Sequence, residues 1–174
     1  MKNKSTKERA AVEALLSRGL RVSCAESCTG GLIAKRLTDI AGSSGAVYGG
    51  CVTYTNEAKI QLLGVRADTL VKHGAVSEPV AREMARGIRT RTGTDVGVSV
   101  TGLAGPGGGS ADCPVGTVYV GISTVRGEKV QRLQLPPARP RSYIRTVAAT
   151  RAIELILQAA VDLADENTGN SAPV

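Results

Sequence analysis

The stretch Val22-Ser23-Cys24-Ala25-Glu26-Ser27-Cys28-Thr29-Gly30-Gly31-Leu32-Ile33-Ala34 decides the fold. Residues 21–25 read as a short strand, residues 26–31 as a tight turn, and residues 32–40 as a helix. A strand that runs through a turn straight into a helix opens a β-α unit, and such units stack into a layered α/β domain. The turn also stands where chemistry concentrates. At the C-terminal edge of a strand a side chain is exposed, and the N–H groups opening the next helix point toward it. Such a place can hold an anion or an oxyanion. Ser27 and Cys28 are nucleophile candidates on that turn. The competing reading is plain helix capping by Ser27 or Thr29, with Gly30 and Gly31 permitting the turn.

Upstream, residues 7–18 form a helix with Val12, Leu15 and Leu16 on one stripe and Gly19 as its stop. Downstream, residues 47–55 are strand-like, with Gly49-Gly50 marking a bulge. Short helices follow at 56–63 and 67–73. Ser77 is placed to cap a helix running to about residue 92, with Pro79 in its first turn. Residues 96–101 are an apolar strand. The Gly-rich loop 102–115 comes next, fourteen residues long, a length that inside a compact domain marks function. Segments 116–125 and 129–135 alternate around Arg126-Gly127-Glu128 and read as a β-hairpin. Pro136, Pro137 and Pro140 stiffen a linker into a closing helix, 141–164. The predicted fold class is α/β: a single three-layer α/β/α domain with a mixed, mostly parallel sheet of about five strands and a late β-hairpin. It occupies residues 1–165, and the polar tail 166–174 is expected to fray.

Composition narrows the function. A chain of 174 residues suits one domain. It has no Phe, no Trp and four Tyr, which argues against a platform that stacks several bases. The net charge of +7 invites an acidic partner: nucleic acid, a membrane surface or a phosphorylated small molecule. Seven basic residues fall between Arg126 and Arg151 against Glu128 alone. Without aromatic interleaving or a binding motif, that cluster reads as a phosphate pocket plus a solvated face rather than a nucleic-acid surface. No apolar window is long enough to span a bilayer, and the charged start, residues 1–9, leads into no apolar run. The expectation is a cytoplasmic protein with no membrane attachment, whose four cysteines stay reduced. Their spacing is irregular and His73 is the sole histidine, so the cysteines read as small buried hydrophobes and no metal site is expected.

Two other stretches fall at strand ends. In Tyr54-Thr55-Asn56-Glu57-Ala58-Lys59, Lys59 lies one turn into a short helix. A serine nucleophile needs a base, and His73, at a helix C-terminus before Gly74, is poorly placed for it. A lysine serves instead if desolvation or a nearby cation leaves part of it neutral at pH 7. A solvated helix lysine is the competing reading. Thr101-Gly102-Leu103-Ala104-Gly105-Pro106-Gly107 is neither a P-loop, since no Gly-Lys-Ser/Thr follows, nor a dinucleotide fingerprint, since a hairpin comes next. Its glycines let the backbone approach a ligand, or make a flexible turn.

Taken together, Ala25–Gly31, Val52-Thr53-Tyr54 with Asn56–Lys59, Gly74-Ala75-Val76-Ser77-Glu78, Thr101–Pro106 and Pro114-Val115-Gly116-Thr117-Val118 closely resemble, in order, the motifs of the CinA C-terminal domain family. The resemblance implies a stand-alone amidohydrolase that converts nicotinamide mononucleotide to nicotinate mononucleotide and ammonia in pyridine nucleotide recycling, without cofactor or metal. It implies Ser27 as nucleophile, Lys59 as general base and Tyr54 as an accessory group that polarises the pair or relays a proton. Ser44 and Thr101 look like polar contacts, and N–H groups near Gly30 and Gly31 would hold the oxyanion. Gly105 would line the substrate, and Arg141 in preference to Arg139 would hold the phosphate. A homodimer or higher homo-oligomer is also implied; with only about 20 residues before the first motif, the N-terminal molybdopterin-binding-like domain that some relatives carry is expected to be absent. The chain departs from the family pattern at Gly107, at Cys113 and across residues 135–141, which touches substrate grip rather than chemistry. Two other functions remain open at this point: a non-catalytic nucleotide-binding module of the same fold, and a basic nucleic-acid-binding protein.

Overall fold

In a computed structural model, which describes residues 6–164, the chain forms five strands and six α-helices. In chain order these are α1 (Lys7–Leu16), β1 (Val22–Glu26), α2 (Leu32–Thr38), β2 (Val47–Val52), α3 (Asn56–Leu63), α4 (Ala67–His73), α5 (Glu78–Thr92), β3 (Val96–Gly102), β4 (Thr117–Thr124), β5 (Gly127–Gln134) and α6 (Arg141–Ala164). A single 3₁₀ turn, Ser43–Gly45, precedes β2. The sheet order is β2-β1-β3-β4-β5. β1 pairs in parallel with β2 and β3, whereas β3–β4 and β4–β5 are antiparallel. The sheet is mixed, as expected, but evenly so rather than mostly parallel. The late hairpin extends the sheet by two strands that need no crossover helix.

Helices cover both faces. α1, α2 and α6 pack on one side around Leu15, Ile33, Ile144, Ile153 and Ile156. On the other side α3, α4 and α5 enclose Leu63, Val65, Val80, Met84 and Ile88. β1 lies between them, with every residue buried. That is the three-layer arrangement predicted from alternating helices and strands. The expected tail, 166–174, lies outside the described residues.

Several boundaries shift for local reasons. β2 ends at Val52 rather than at residue 55, because the Thr55 hydroxyl accepts the Ala58 N–H and caps α3. The expected bulge is present: Val22 pairs with Val47 but Ser23 with Gly49, so Tyr48 is skipped. The hairpin turn is tighter than predicted. Thr124 pairs with Gly127 across Val125-Arg126, and the Thr124 hydroxyl takes the Arg126 N–H. Ser77 stands at the start of α5 but donates its hydroxyl to the Gly74 carbonyl instead of capping the helix.

Candidate active site

The C-terminal ends of β1 and β3 meet the loop after β2. Ser27 follows β1 directly, and its N–H donates to the Val100 carbonyl of β3 at 2.9 Å. On the other flank the Thr53 N–H donates to the Glu26 carbonyl at 2.8 Å. The turn that bears Ser27 is thus fastened to both neighbouring strands. Past Thr53 the chain enters α3, whose second turn directs Lys59 back toward the sheet. Lys59 is 1% exposed. Its Nζ donates to the Thr53 carbonyl at 2.8 Å and lies 3.3 Å from Ser27 Oγ.

Among the described residues no carboxylate partners this lysine. Burial pushes Lys59 below the ordinary lysine value, and the neighbouring Cys28 sulfur offsets part of that shift. Desolvation of an unpaired ammonium favours the neutral amine, the form that accepts a proton. Cys28 itself lies beside Ser27, but burial pushes its thiol up to about 12, so it holds its proton and is a poor nucleophile.

The pair opens onto a cleft of about 220 Å³ lined also by Tyr54, Asn56, Thr101, Gly105 and Arg141. The Thr101 hydroxyl donates to the Ala75 carbonyl at 2.8 Å. Arg141 donates from one guanidinium nitrogen to the Gly105 carbonyl and from the other to the Tyr54 hydroxyl, each at 2.8 Å. Neither acceptor carries a formal charge, and Arg141 makes no ion pair among the described residues. Arg139 instead lies over the Tyr143 ring, 5.1 Å from its centre, and does not line the cleft.

The structure brings Ser27, Lys59, Tyr54, Thr101, Gly105 and Arg141 together around the cleft, whereas Ser44, Gly30 and Gly31 do not line it. Ser44 is exposed on the 3₁₀ turn at the N-terminal end of β2, the opposite edge of the sheet from Ser27. The parallel β1–β2 pairing fixes that separation. Gly30 and Gly31 shape the turn, with φ of +60° and +92°, but their N–H groups are taken. The Gly30 N–H donates to the Ser27 carbonyl and the Gly31 N–H to Glu26 Oε2. Neither is free to hold an oxyanion as expected. Tyr54 is 61% exposed and its hydroxyl meets Arg141, with no hydrogen bond to Ser27 or Lys59. Of the other three tyrosines, Tyr48 lies on β2, Tyr119 on β4 and Tyr143 on α6, and none is fully buried.

Sequence reasoning missed Glu26, Arg145 and Asn56. Glu26 is 1% exposed and caps α2 in place of Ser27 or Thr29. Its position before the turn gave no capping signal, since caps are sought at the helix start. Arg145 was hidden among the basic residues of 126–151. Asn56 lies in a motif that drew attention only to Tyr54 and Lys59. Of the cysteines, Cys24 and Cys28 are buried as expected, while Cys51 and Cys113 are half-buried.

A buried lysine beside a strand-end serine, in a three-layer α/β domain, gives the cleft a candidate nucleophile and a candidate base. The CinA C-terminal domain family model matches residues 4–160, and the chain belongs to that family. It is 49% identical over 146 residues to the nicotinamide-nucleotide amidohydrolase PncC of Escherichia coli K12, covering 84% of this chain and 88% of that protein. A CinA-like protein of Chlorobaculum tepidum is 60% identical over 119 residues, 68% of this chain but 28% of the relative, so the chain spans little more than a quarter of that protein. Among solved structures, the competence/damage inducible protein CihA of Agrobacterium tumefaciens superposes with a TM-score of 0.84 at 43% identity, covering 88% of this chain and 94% of that one.

Proposed function

We propose that the protein is a nicotinamide-nucleotide amidohydrolase, converting nicotinamide mononucleotide to nicotinate mononucleotide and ammonia. The observation that carries this reading is Lys59: fully buried, without a carboxylate partner among the described residues, its Nζ 3.3 Å from Ser27 Oγ. The near full-length likeness to PncC supplies the substrate. Neutral Lys59 takes the Ser27 proton as Oγ bonds to the carboxamide carbon. The proton then passes to the amide nitrogen, the C–N bond breaks and ammonia leaves. Water next gives a proton to Lys59 and attacks the ester, Ser27 recovers its proton, and nicotinate mononucleotide departs.

Arg141 is the group we assign to the phosphate, because its charge faces the cleft and has only neutral acceptors. Tyr54 orients Arg141 in this scheme, Thr101 fixes the cleft wall through Ala75, and the oxyanion falls to donors other than the Gly30 and Gly31 N–H groups. No step calls on a metal or cofactor.

No helix among the described residues is long and apolar enough to cross a membrane. We place the activity in the cytoplasm, where the four unpaired cysteines stay reduced. We also read the assembly as a homodimer or higher homo-oligomer. β2 is an edge strand with Tyr48 and Val52 exposed, and a second copy would cover it. From its end of β2, Ser44 could approach only the cleft of another copy. A monomer mass by sedimentation contradicts that part of the reading.

The test of function is ammonia release from nicotinamide mononucleotide, its riboside and free nicotinamide. The mononucleotide is expected to be cleaved fastest. Tight binding of the mononucleotide with no ammonia formed would instead identify a non-catalytic nucleotide-binding module.

A further inference from the structure

The turn that carries Ser27 is gripped from two sides by charged side chains that do not reach the cleft. On one side is Glu26. Its Oε2 accepts the N–H groups of Gly31 at 3.0 Å and Ile33 at 3.1 Å, and its Oε1 accepts that of Ala34 at 2.9 Å. These are donors that the start of a helix otherwise leaves unpaired. The carboxylate occupies the spot where an anionic ligand would sit on such a helix end, so the protein fills that spot itself.

On the other side is Arg145 of α6. Its Nε donates to the Cys28 carbonyl at 3.1 Å and a terminal nitrogen to the Thr29 carbonyl at 2.8 Å. Arg145 makes no ion pair among the described residues, so both of its hydrogen-bonded contacts go to the turn. A Cβ at Gly30 would stand 3.3 Å from the same guanidinium, so the turn and Arg145 fit closely. One turn earlier on α6, Arg141 reaches the cleft through Gly105 and Tyr54. The two arginines therefore divide the work of one helix: one faces the cleft and the other the backbone beneath Ser27.

We propose that Glu26 and Arg145 form a clamp of positioning residues for Ser27, the carboxylate holding the N–H groups where the turn enters α2 and the guanidinium the carbonyls of the turn. The clamp fixes the distance and direction from Ser27 Oγ to Lys59 Nζ and touches no substrate. A planar fork suits Arg145 to this role, because it meets two carbonyls at once where a lysine would meet one. This inference rests on the amidohydrolase reading only for its kinetic consequence; the mechanical one stands alone.

The experiment combines steady-state kinetics with amide hydrogen exchange on full-length Arg145→Ala, Arg145→Lys and Glu26→Gln. Misplacing a reacting group by about 1 Å costs on the order of 10²-fold. Arg145→Ala is therefore expected to lower kcat by about 10–10²-fold, with KM for nicotinamide mononucleotide nearly unchanged and an equal loss on the riboside. Arg145→Lys should recover part of that loss. In Arg145→Ala, exchange should quicken at residues 28–34 while the β3 and β4 amides keep their protection. Glu26→Gln is a second, more disruptive probe of the same segment. A rise in KM for the mononucleotide alone would make Arg145 a phosphate ligand and overturn the clamp. Unchanged kcat and unchanged exchange in Arg145→Ala would overturn it as well. If the wild type releases no ammonia, the functional reading fails, and the exchange data still decide whether the clamp exists.

Discussion

Two hollows of nearly equal size lie at opposite corners of the molecule. One is the cleft above Ser27, about 220 Å³; the other, about 230 Å³, lies between the β4–β5 hairpin tip and the end of α6. The hairpin groove is the more conventional hollow, with Ile122, Leu155 and Leu163 on its walls. Its charges are solvated and matched, as in the Lys129–Asp162 pair at 3.8 Å. The cleft is less apolar and holds a buried lysine with no counter-charge among the described residues. The difference teaches that volume does not mark the site. What distinguishes the cleft is an amine that the fold has desolvated and left without a counter-charge among the described residues, the kind of perturbed group that concentrates at functional sites.

The largest expected effect comes from breaking the cleft. Ser27→Ala and Lys59→Ala should each lower kcat by about 10⁴-fold, and the double variant should be no slower than the singles, because the two act as a unit. Ammonia assays with nicotinamide mononucleotide check this. Multiplying losses in the double variant would separate the two residues.

Next in size, Arg141→Ala should raise KM for the mononucleotide. A hydrogen bond to a charged group is worth about 1.5–3 kcal/mol, or roughly 10–150-fold. The riboside, lacking phosphate, should hardly respond. A parallel loss on both substrates would move Arg141 from phosphate binding to shaping the Gly105 loop.

A smaller effect concerns stability. Lys59→Met removes a buried amine and keeps its volume, so the inactive variant should melt higher, by about 2–4 °C for each kcal/mol gained. The wild type should also gain stability as pH rises. A lysine whose folded pKa lies below its unfolded value binds fewer protons when folded, so stability is lost as pH falls through the folded value. Thermal scans over pH for both proteins test the pair of claims, and a lower melting temperature for Lys59→Met would refute the first.

The smallest expected effect is at the other hollow. Lys129→Ala should leave kcat and KM within about twofold, since exposed ion pairs contribute about 0–1 kcal/mol. A large kinetic change there would give the hairpin groove a role that its paired charges do not indicate.

Much of this contrast was legible in the chain. The strand–turn–helix around Ser27, the short helix bearing Lys59 and the Gly-rich loop all carry local signals. Their positions at strand ends follow from alternating β and α segments, whereas the pairing of Ser27 with Lys59 was expected only from the motif resemblance. The misses are long-range or hidden in backbone. Nothing local says that Glu26 turns forward to cap α2, or that Arg145, 118 positions after Ser27 in sequence, holds the turn's carbonyls. Ser44 was displaced because its role came from motif likeness, whereas its location is set by the direction of β2. The hairpin boundary shifted because a threonine hydroxyl and Gly127 made a tighter turn than alternation alone indicates.

The central claim is that buried Lys59 works as a neutral amine on Ser27. The most direct measurement is kcat/KM for ammonia release by the wild type from about pH 6 to about pH 10. Activity should rise tenfold per pH unit at first, then level off at an apparent pKa clearly below the 10.5 of an ordinary lysine. A flat profile across that range, or a rise that continues unbroken toward the ordinary lysine value, would contradict the account.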